Sequence, residues 1–130
     1  MKTIEKTIIN FAREAMNTAK TYGVNEFEKK FSIRDRVEFK NGAMKFYLWD
    51  SEIFTVTAKG NVFFSFRGYP TVTTKGRINA YLGAFASGYV YQKNYGLYFN
   101  GVALDASGIY RVYNGIVEKV DFNTFWDMTH

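Results

Sequence analysis

The sequence predicts an α+β domain, in which an N-terminal helix and one central helix pack on a mainly antiparallel sheet of several hairpins. Three observations predict this class: two segments with apolar residues at helical spacing, four pairs of β-rich segments joined by short turns, and a composition that is 47% hydrophobic and 19% aromatic. At 130 residues the chain is expected to form a single domain, residues 1–130. We assign residues 1–23 to the N-terminal helix, 37–104 to the sheet and central helix, and 105–130 to a C-terminal hairpin and an aromatic tail.

The N-terminal helix is predicted between Thr3 and Tyr22. Its polar face mixes both signs of charge and includes Glu5, which is typical of a solvated surface. Gly23 stands where a helix commonly ends in a left-handed conformation. The apolar residues that follow the helical spacing, and so predict the buried face, are Ile4, Ile8, Phe11, Ala12, Ala15, Met16 and Ala19.

Four hairpins are predicted from turn residues that separate β-rich segments. The first covers residues 37–49 around Asn41 and Gly42, because this pair accepts the positive φ angles of a tight turn. The other three join residues 53–57 to 62–67, 89–93 to 96–100 and 109–113 to 116–120. Ahead of them, Asn25 is expected to cap a short helical turn over residues 27–31.

The central helix is predicted to begin near Thr73 or Thr74, either of which can accept a capping hydrogen bond, and to end before Gly88. Lys75 and Arg77 fall in its first turn, where positive charge opposes the helix dipole unless an anion binds. Threonine hydroxyls, backbone N–H groups and these two cations therefore predict a phosphate-binding segment. The alternative is that the threonines only cap the helix and the cations are solvated. The apolar stripe of this helix is Ile78, Tyr81, Leu82 and Phe85.

A run of 52 residues, Ile53 to Leu104, contains no Asp or Glu; we call it the acid-free block. The rest of the chain has 12 basic and 12 acidic side chains, so this block accounts for the whole formal charge of +5. It also holds 12 of the 25 aromatic residues. Such a basic, aromatic surface suits a polyanion or an acidic protein. The cations of the block are Lys59, Arg67, Lys75, Arg77 and Lys93.

The aromatic residues of the acid-free block offer a stacking platform for unpaired bases. Because alternate residues of a strand face opposite sides of a sheet, about half of them are expected to pack in the core instead. Tyr69 and Tyr95 are the preferred candidates, since both lie near turns. An exposed tyrosine equally suits a protein partner. The full set is Phe64, Phe66, Tyr69, Tyr89, Tyr91, Tyr95 and Tyr98.

The aromatic tail carries Phe122, Phe125 and Trp126 at helical spacing. Such a cluster either forms an interface with a partner or folds back over one edge of the core, and we favour the second interpretation.

Residues that support catalysis or metal binding are scarce. The chain has no Cys and a single His, His130, which removes thiolate nucleophiles, disulfides and the usual zinc ligands. Glu38 and Lys40 match half of a common nuclease metal motif, but no earlier strand supplies the partner acid. We therefore predict no catalytic residue, no metal, no cofactor and no enzymatic activity. A charged N-terminus and the lack of about 18 consecutive apolar residues predict an intracellular protein without a membrane span.

The segment from Trp49 to about Gly101 resembles a family of small hypothetical proteins of tailed bacteriophages. The resemblance rests on two strands around a glycine turn, then Gly68-Tyr69, then the run Thr71-Val-Thr-Thr-Lys75, Arg77-Ile-Asn79, and later a Gln-Lys hairpin with aromatics. The resemblance implies a phage or prophage origin, the cytoplasm of the bacterial host as the location, and a role in replication, regulation or the defeat of host defence.

These observations together predict a non-enzymatic phage accessory protein that binds nucleic acid or a host nucleoprotein complex. One alternative is a protein-directed inhibitor of a bacterial defence nuclease, similar to an anti-CRISPR protein, and another is a small virion or assembly protein. The residues predicted to contact nucleic acid or a partner are Arg67, Tyr69, Thr73, Thr74, Lys75, Arg77, Lys93 and Tyr95.

Overall fold

The computed structural model of the chain describes residues 1–23, of which 20–22 by their backbone alone, and residues 26–130. In this part of the chain the helices are α1 (Thr3–Tyr22), α2 (Val72–Phe85) and α3 (Phe122–Thr129). The strands are β1 (Phe27–Lys30), β2 (Asp35–Lys40), β3 (Ala43–Leu48), β4 (Ser51–Thr57), β5 (Val62–Phe64), β6 (Val90–Lys93), β7 (Gly96–Phe99), β8 (Val102–Leu104), β9 (Ile109–Tyr113) and β10 (Ile116–Val120).

The strands form two antiparallel sheets. Seven of the described strands make a large sheet in the order β1-β2-β3-β4-β5-β9-β10, and β6-β7-β8 make a small sheet. The C-terminal hairpin β9-β10 therefore extends the large sheet beside β5 rather than standing apart from it. Helices combined with mainly antiparallel strands confirm the predicted α+β class.

The predicted turns form because their residues accept positive φ angles. Asn41 and Gly42 have φ of 54° and 73°, and Asn114 and Gly115 have φ of 49° and 75°. All four predicted hairpins are present, as is α1 with its left-handed end at Gly23, where φ is 68°.

The helical turn predicted over residues 27–31 is wrong, because residues 27–30 form strand β1. Phe27 pairs with Phe39 of β2, and their rings stack with centroids 5.4 Å apart. Phe27 also meets the ring of Phe11 of α1 edge to face at 5.7 Å. This packing favours an edge strand over a local helical turn. The predicted cap residue Asn25 lies outside the described residues.

Helix α2 begins earlier than predicted. The N-cap is Thr71, whose side-chain oxygen accepts a hydrogen bond from the backbone N–H of Thr74 at 3.1 Å. Pro70 stands directly before this cap and the helix starts at Val72, so Arg77 belongs to the second turn. The predicted apolar stripe of α2 does face the core.

The core lies between the large sheet, α1, α2 and the small sheet. Tyr81 of α2 contacts the rings of Phe46 and Phe54 at 4.5 Å and 5.6 Å. The small sheet packs against the same face through Phe99, which stacks on Phe64 at 5.9 Å.

Helix α3 covers the opposite face of the large sheet, where Phe125 meets Phe63 edge to face at 5.3 Å. Phe125 is buried, whereas Phe122 and Trp126 stay exposed on the outer side of α3. The aromatic tail thus folds back over the core through Phe125, in agreement with the interpretation favoured from the sequence.

Candidate functional site

Arg77, predicted as a surface ligand for phosphate, is fully buried. Its guanidinium group donates to both carboxylate oxygens of Asp35, at 2.8 Å and 3.1 Å, and to Glu5 Oε2 at 2.9 Å. Burial alone would lower the pKa of Arg77, but the hydrogen bonds to these carboxylates raise its pKa above the ordinary value. Arg77 therefore links α2 to α1 and β2 through buried ion pairs, and it is not available to an external anion.

Glu5 is likewise not on a solvated surface, because it is only 3% exposed. Besides Arg77 it accepts a hydrogen bond from the backbone N–H of Lys2 at 2.9 Å. The predicted assignment of Glu5 to the solvated face of α1 is wrong, since a buried cation from another helix attracts it inward. The acid-free block thus has one of its cations paired with acids from outside the block.

The remaining predicted residues of α2 and the preceding loop lie either around the start of α2 or farther along this helix. Thr74 is buried and shares a hydrogen bond with the Thr71 hydroxyl at 2.9 Å, which leaves it as part of the cap. Tyr69 and Thr73 line an open pocket at the start of α2. Lys75 lies farther along, where its ammonium group donates to the side-chain oxygen of Gln92 in β6.

Arg67 lies on the other side of the molecule. Its Nε donates to the Glu52 carbonyl oxygen at 2.7 Å, and its guanidinium lies 5.9 Å from the ring centroid of Phe125 in α3. Since α2 and α3 cover opposite faces of the large sheet, Arg67 and Lys75 do not belong to one surface. The eight predicted residues therefore do not converge on one site.

The outer face of the small sheet carries a stack of tyrosine rings, which we call the tyrosine face: Tyr89, Tyr91, Lys93 and Tyr98. Tyr91 pairs with Tyr98 across β6 and β7, and their rings stack at 5.6 Å with an interplanar angle of 20°. Tyr89 continues the stack on Tyr91 at 6.5 Å, also at 20°. Lys93 follows Tyr91 by two residues and so projects from the same side of the strand.

Local sequence explains this arrangement. Val90 is buried between Tyr89 and Tyr91, which turns both tyrosines away from the core. A Cβ atom at Gly96 would lie 2.7 Å from the Tyr98 hydroxyl oxygen, so glycine leaves room for the ring to lie along the strand. At the tip of the hairpin, Asn94 and Tyr95 have φ of 49° and 68°.

The segments that form the tyrosine face carry no carboxylates of their own. Residues 89–104, which form the small sheet and its turns, contain no Asp or Glu, and neither does helix α2 beside them. Tyr95 is fully exposed at the hairpin tip and Tyr89 is 59% exposed. Stacked rings beside a positive charge are what single-stranded nucleic acid requires of a binding surface.

Sequence reasoning placed Lys93 and Tyr95 near this face but preferred turn tyrosines over those within strands. The alternation Tyr89-Val90-Tyr91 was the signal that identifies a row of outward rings. Phe64 and Phe66, which belonged to the same predicted platform, are each 1% exposed and pack in the core.

The part of the chain that the structure describes contains no group of three or more His, Cys, Asp or Glu residues that could hold a metal ion. Within the same residues, no helix is both long and apolar enough to cross a membrane.

Comparison with protein families identifies the origin of the chain. The profile described as Kyanoviridae Gp96 protein matches residues 10–124, which is most of the chain. The chain belongs to this family. This membership confirms that the protein is a bacteriophage protein, as the sequence resemblance implied. The Kyanoviridae Gp96 match includes α2, the tyrosine face and the whole large sheet, and therefore extends well beyond the segment on which the resemblance rested. No curated protein and no solved structure matches the chain.

Proposed function

We propose that this phage protein binds unpaired nucleic acid through the tyrosine face and acts by binding rather than by catalysis. The observation that carries the proposal is the stack of Tyr89, Tyr91 and Tyr98 on the outer face of a sheet without carboxylates. A solvated sheet face ordinarily carries polar residues, so a row of three rings there calls for a partner with flat apolar groups. Unpaired bases are such groups.

The expected strength follows from the number of rings. Each base stacked on an aromatic side chain contributes about 1 to 3 kcal/mol, and the stacking tolerates any base. Lys93 on the same face adds one phosphate contact, and Lys75 lies near the strand that carries it. We therefore expect binding without strong sequence preference and with a marked dependence on salt.

The test measures anisotropy of a labelled single-stranded oligonucleotide, as DNA and as RNA, with the wild-type chain and ring variants. Y91A is expected to weaken binding about fivefold to one hundredfold, because one stack of about 1 to 3 kcal/mol is lost. Y91F keeps the ring and should bind nearly as well as the wild type. Y89A, at a ring that is 59% exposed, should also weaken binding, and its matched control is Y113A, because Tyr113 is 62% exposed but lies on β9 outside the tyrosine face.

Salt dependence tests the charge component separately. The logarithm of the affinity should fall with the logarithm of salt concentration by about 0.7 for each phosphate contacted, and K93E should reduce that slope. K30E, at an exposed position on β1, should leave the slope nearly unchanged.

Absence of oligonucleotide binding at low salt, or an equal loss in Y91A and Y113A, would contradict the proposal. Host nucleic acid held in a nucleoprotein complex would be contacted by the same face, and capture from a lysate would then be lost on nuclease treatment. A host complex that survives both nuclease treatment and high salt would instead favour a protein-directed inhibitor of a defence nuclease, and a symmetric oligomer in light scattering would favour a virion or assembly role.

A further inference from the structure

An open pocket of about 550 Å³ lies between the turn that joins β3 to β4 and the loop that leads into α2. Its volume falls within the range of about 300 to 1,000 Å³ that is typical of small-molecule sites. Trp49 and Tyr69 stand at its rim, and they are 62% and 67% exposed. Two large rings exposed at one pocket indicate a place where a ligand, and not the protein core, covers them.

Both rims are held by tight turns. Trp49 and Asp50 form the turn between β3 and β4 with φ of 51° and 64°, a left-handed conformation that is unfavourable for a bulky residue. Tyr69 follows the positive-φ pair Arg67 and Gly68, and its N–H donates to the Phe66 carbonyl oxygen at 2.9 Å. Trp49 is therefore retained at an unfavourable backbone position, which indicates a use for its exposed ring.

The lining of the pocket selects an uncharged ligand group. Among the residues that the structure describes, no charged side chain lines the pocket, and Ile53 and Phe66 provide an apolar floor. The hydroxyls of Ser51 and Thr73 also line the pocket and make no hydrogen bond within the part of the chain that the structure describes. Two rings, an apolar floor and two unengaged hydroxyls match a flat group with apolar faces and a polar edge.

The pocket and the small sheet both contact the first turns of α2. Thr73 and Thr74 line the pocket, and the next residue, Lys75, donates a hydrogen bond to Gln92 of β6. Gln92 alternates with Tyr91 and Lys93 along β6 and therefore projects from the side opposite to the tyrosine face, so this contact joins α2 to the inner side of the small sheet.

We propose that this pocket is a nucleobase site, which takes one unpaired base between Trp49 and Tyr69 with its polar edge toward Ser51 and Thr73. The assignment rests on the proposed function, because it supplies a specific contact for the same nucleic acid. The uncharged lining leaves the phosphates outside the pocket.

The experiment uses the fluorescence of Trp49 in a W126F background, which is possible because the chain has only two tryptophans. Free adenosine, guanosine, cytidine and uridine serve as probes, since they contain the base without any phosphate. We expect saturable quenching by at least one nucleoside. Y69A should weaken that binding about fivefold to one hundredfold, the equivalent of one lost stack of about 1 to 3 kcal/mol. T73V, which removes one hydroxyl and keeps the shape, should weaken binding of the preferred base selectively.

The controls separate this proposal from the proposed function. Y91A, outside the pocket, should leave nucleoside quenching unchanged while it weakens oligonucleotide binding. Absence of saturable quenching by all four nucleosides, or quenching that Y69A does not alter, would overturn the base site even where oligonucleotides still bind the tyrosine face. Saturable quenching without any oligonucleotide binding would keep the pocket as a nucleoside site and reject the proposed function.

Discussion

Replacing Arg77 with methionine is expected to lower the stability of the fold strongly, although the substitution removes no residue of a ligand-binding surface. The side chain is fully buried and makes three hydrogen bonds to two carboxylates, Asp35 and Glu5. Methionine fills much of the same volume but removes the buried cation from both carboxylates, so that Glu5 loses its ion pair and Asp35 keeps only the more distant Arg34 Nε, 3.7 Å from its Oδ2. Asp35 and Glu5 are 1% and 3% exposed, so water cannot replace the lost hydrogen bonds.

The magnitude follows from this burial. Breaking a buried ion pair by removing one partner costs about 3 to 5 kcal/mol, because an uncompensated charge remains in the interior. Domains of this kind are stable by about 5 to 15 kcal/mol, so R77M removes a large share of the total. At roughly 3 to 5 °C per kcal/mol for a chain of this size, the unfolding midpoint should fall by about 10 to 25 °C.

The assay is urea and thermal unfolding followed by circular dichroism, with oligonucleotide anisotropy measured in parallel. Adding D35N and E5Q to R77M should recover part of the loss, since both uncompensated charges are then removed. K75M is the matched control, because Lys75 lies two residues from Arg77 in α2 and makes a single hydrogen bond at the surface, to Gln92. It should change the free energy of unfolding by less than about 1 kcal/mol.

An R77M variant with the wild-type unfolding midpoint and weakened oligonucleotide binding would refute the reasoning. That result would mean that Arg77 acts at the surface as a phosphate ligand, as the sequence alone predicted.

Two further predictions concern the packing of the small sheet and of α3. G88A should lower the free energy of unfolding, measured in urea, by about 1 to 3 kcal/mol, because the added Cβ would lie 2.2 Å from the Phe99 ring and φ at this position is 104°. A G88A variant as stable as the wild type would contradict this close packing. His130 Nε2 lies 2.8 Å from Lys45 Nζ, and burial together with the positive charge of Lys45 lowers the pKa of His130 below its ordinary 6.5. The unfolded chain therefore binds the proton more readily, and the stability that His130 contributes above pH 6.5 should fall as the pH drops from 6.5 through the lowered pKa. The unfolding midpoints of the wild type and of H130Q should converge or cross in that pH window. A constant difference between the two midpoints would exclude this titration.

Much of the local structure could be predicted because it depends on neighbours in the sequence. Helix α1 follows from apolar residues on one stripe and a glycine that ends it in the left-handed region. The turn at Asn41 and Gly42 follows from the φ angles that these residues accept. Such features need no knowledge of distant parts of the chain.

The errors arose where a distant contact decided between local alternatives. Residues 27–30 became an edge strand because Phe27 packs on Phe39, a contact that no local pattern signals. Arg77 pairs with Asp35 and Glu5, which lie 42 and 72 residues away in the sequence. The candidate site was affected in the same way: alternation shows that Tyr91 and Val90 face opposite sides, but not which side is covered.

The sequence by itself determined the fold class, the hairpins, the phage resemblance and the segregation of net positive charge into residues 53–104. Only the tertiary structure decided what that charge does. In the folded chain Arg77 is buried in an ion pair and Arg67 lies on the side of α3. The outer face of the small sheet carries three stacked tyrosines beside Lys93. The physical reason is that composition records how many cations a segment has, whereas burial and pairing depend on which distant acids and rings the folded chain brings within contact distance.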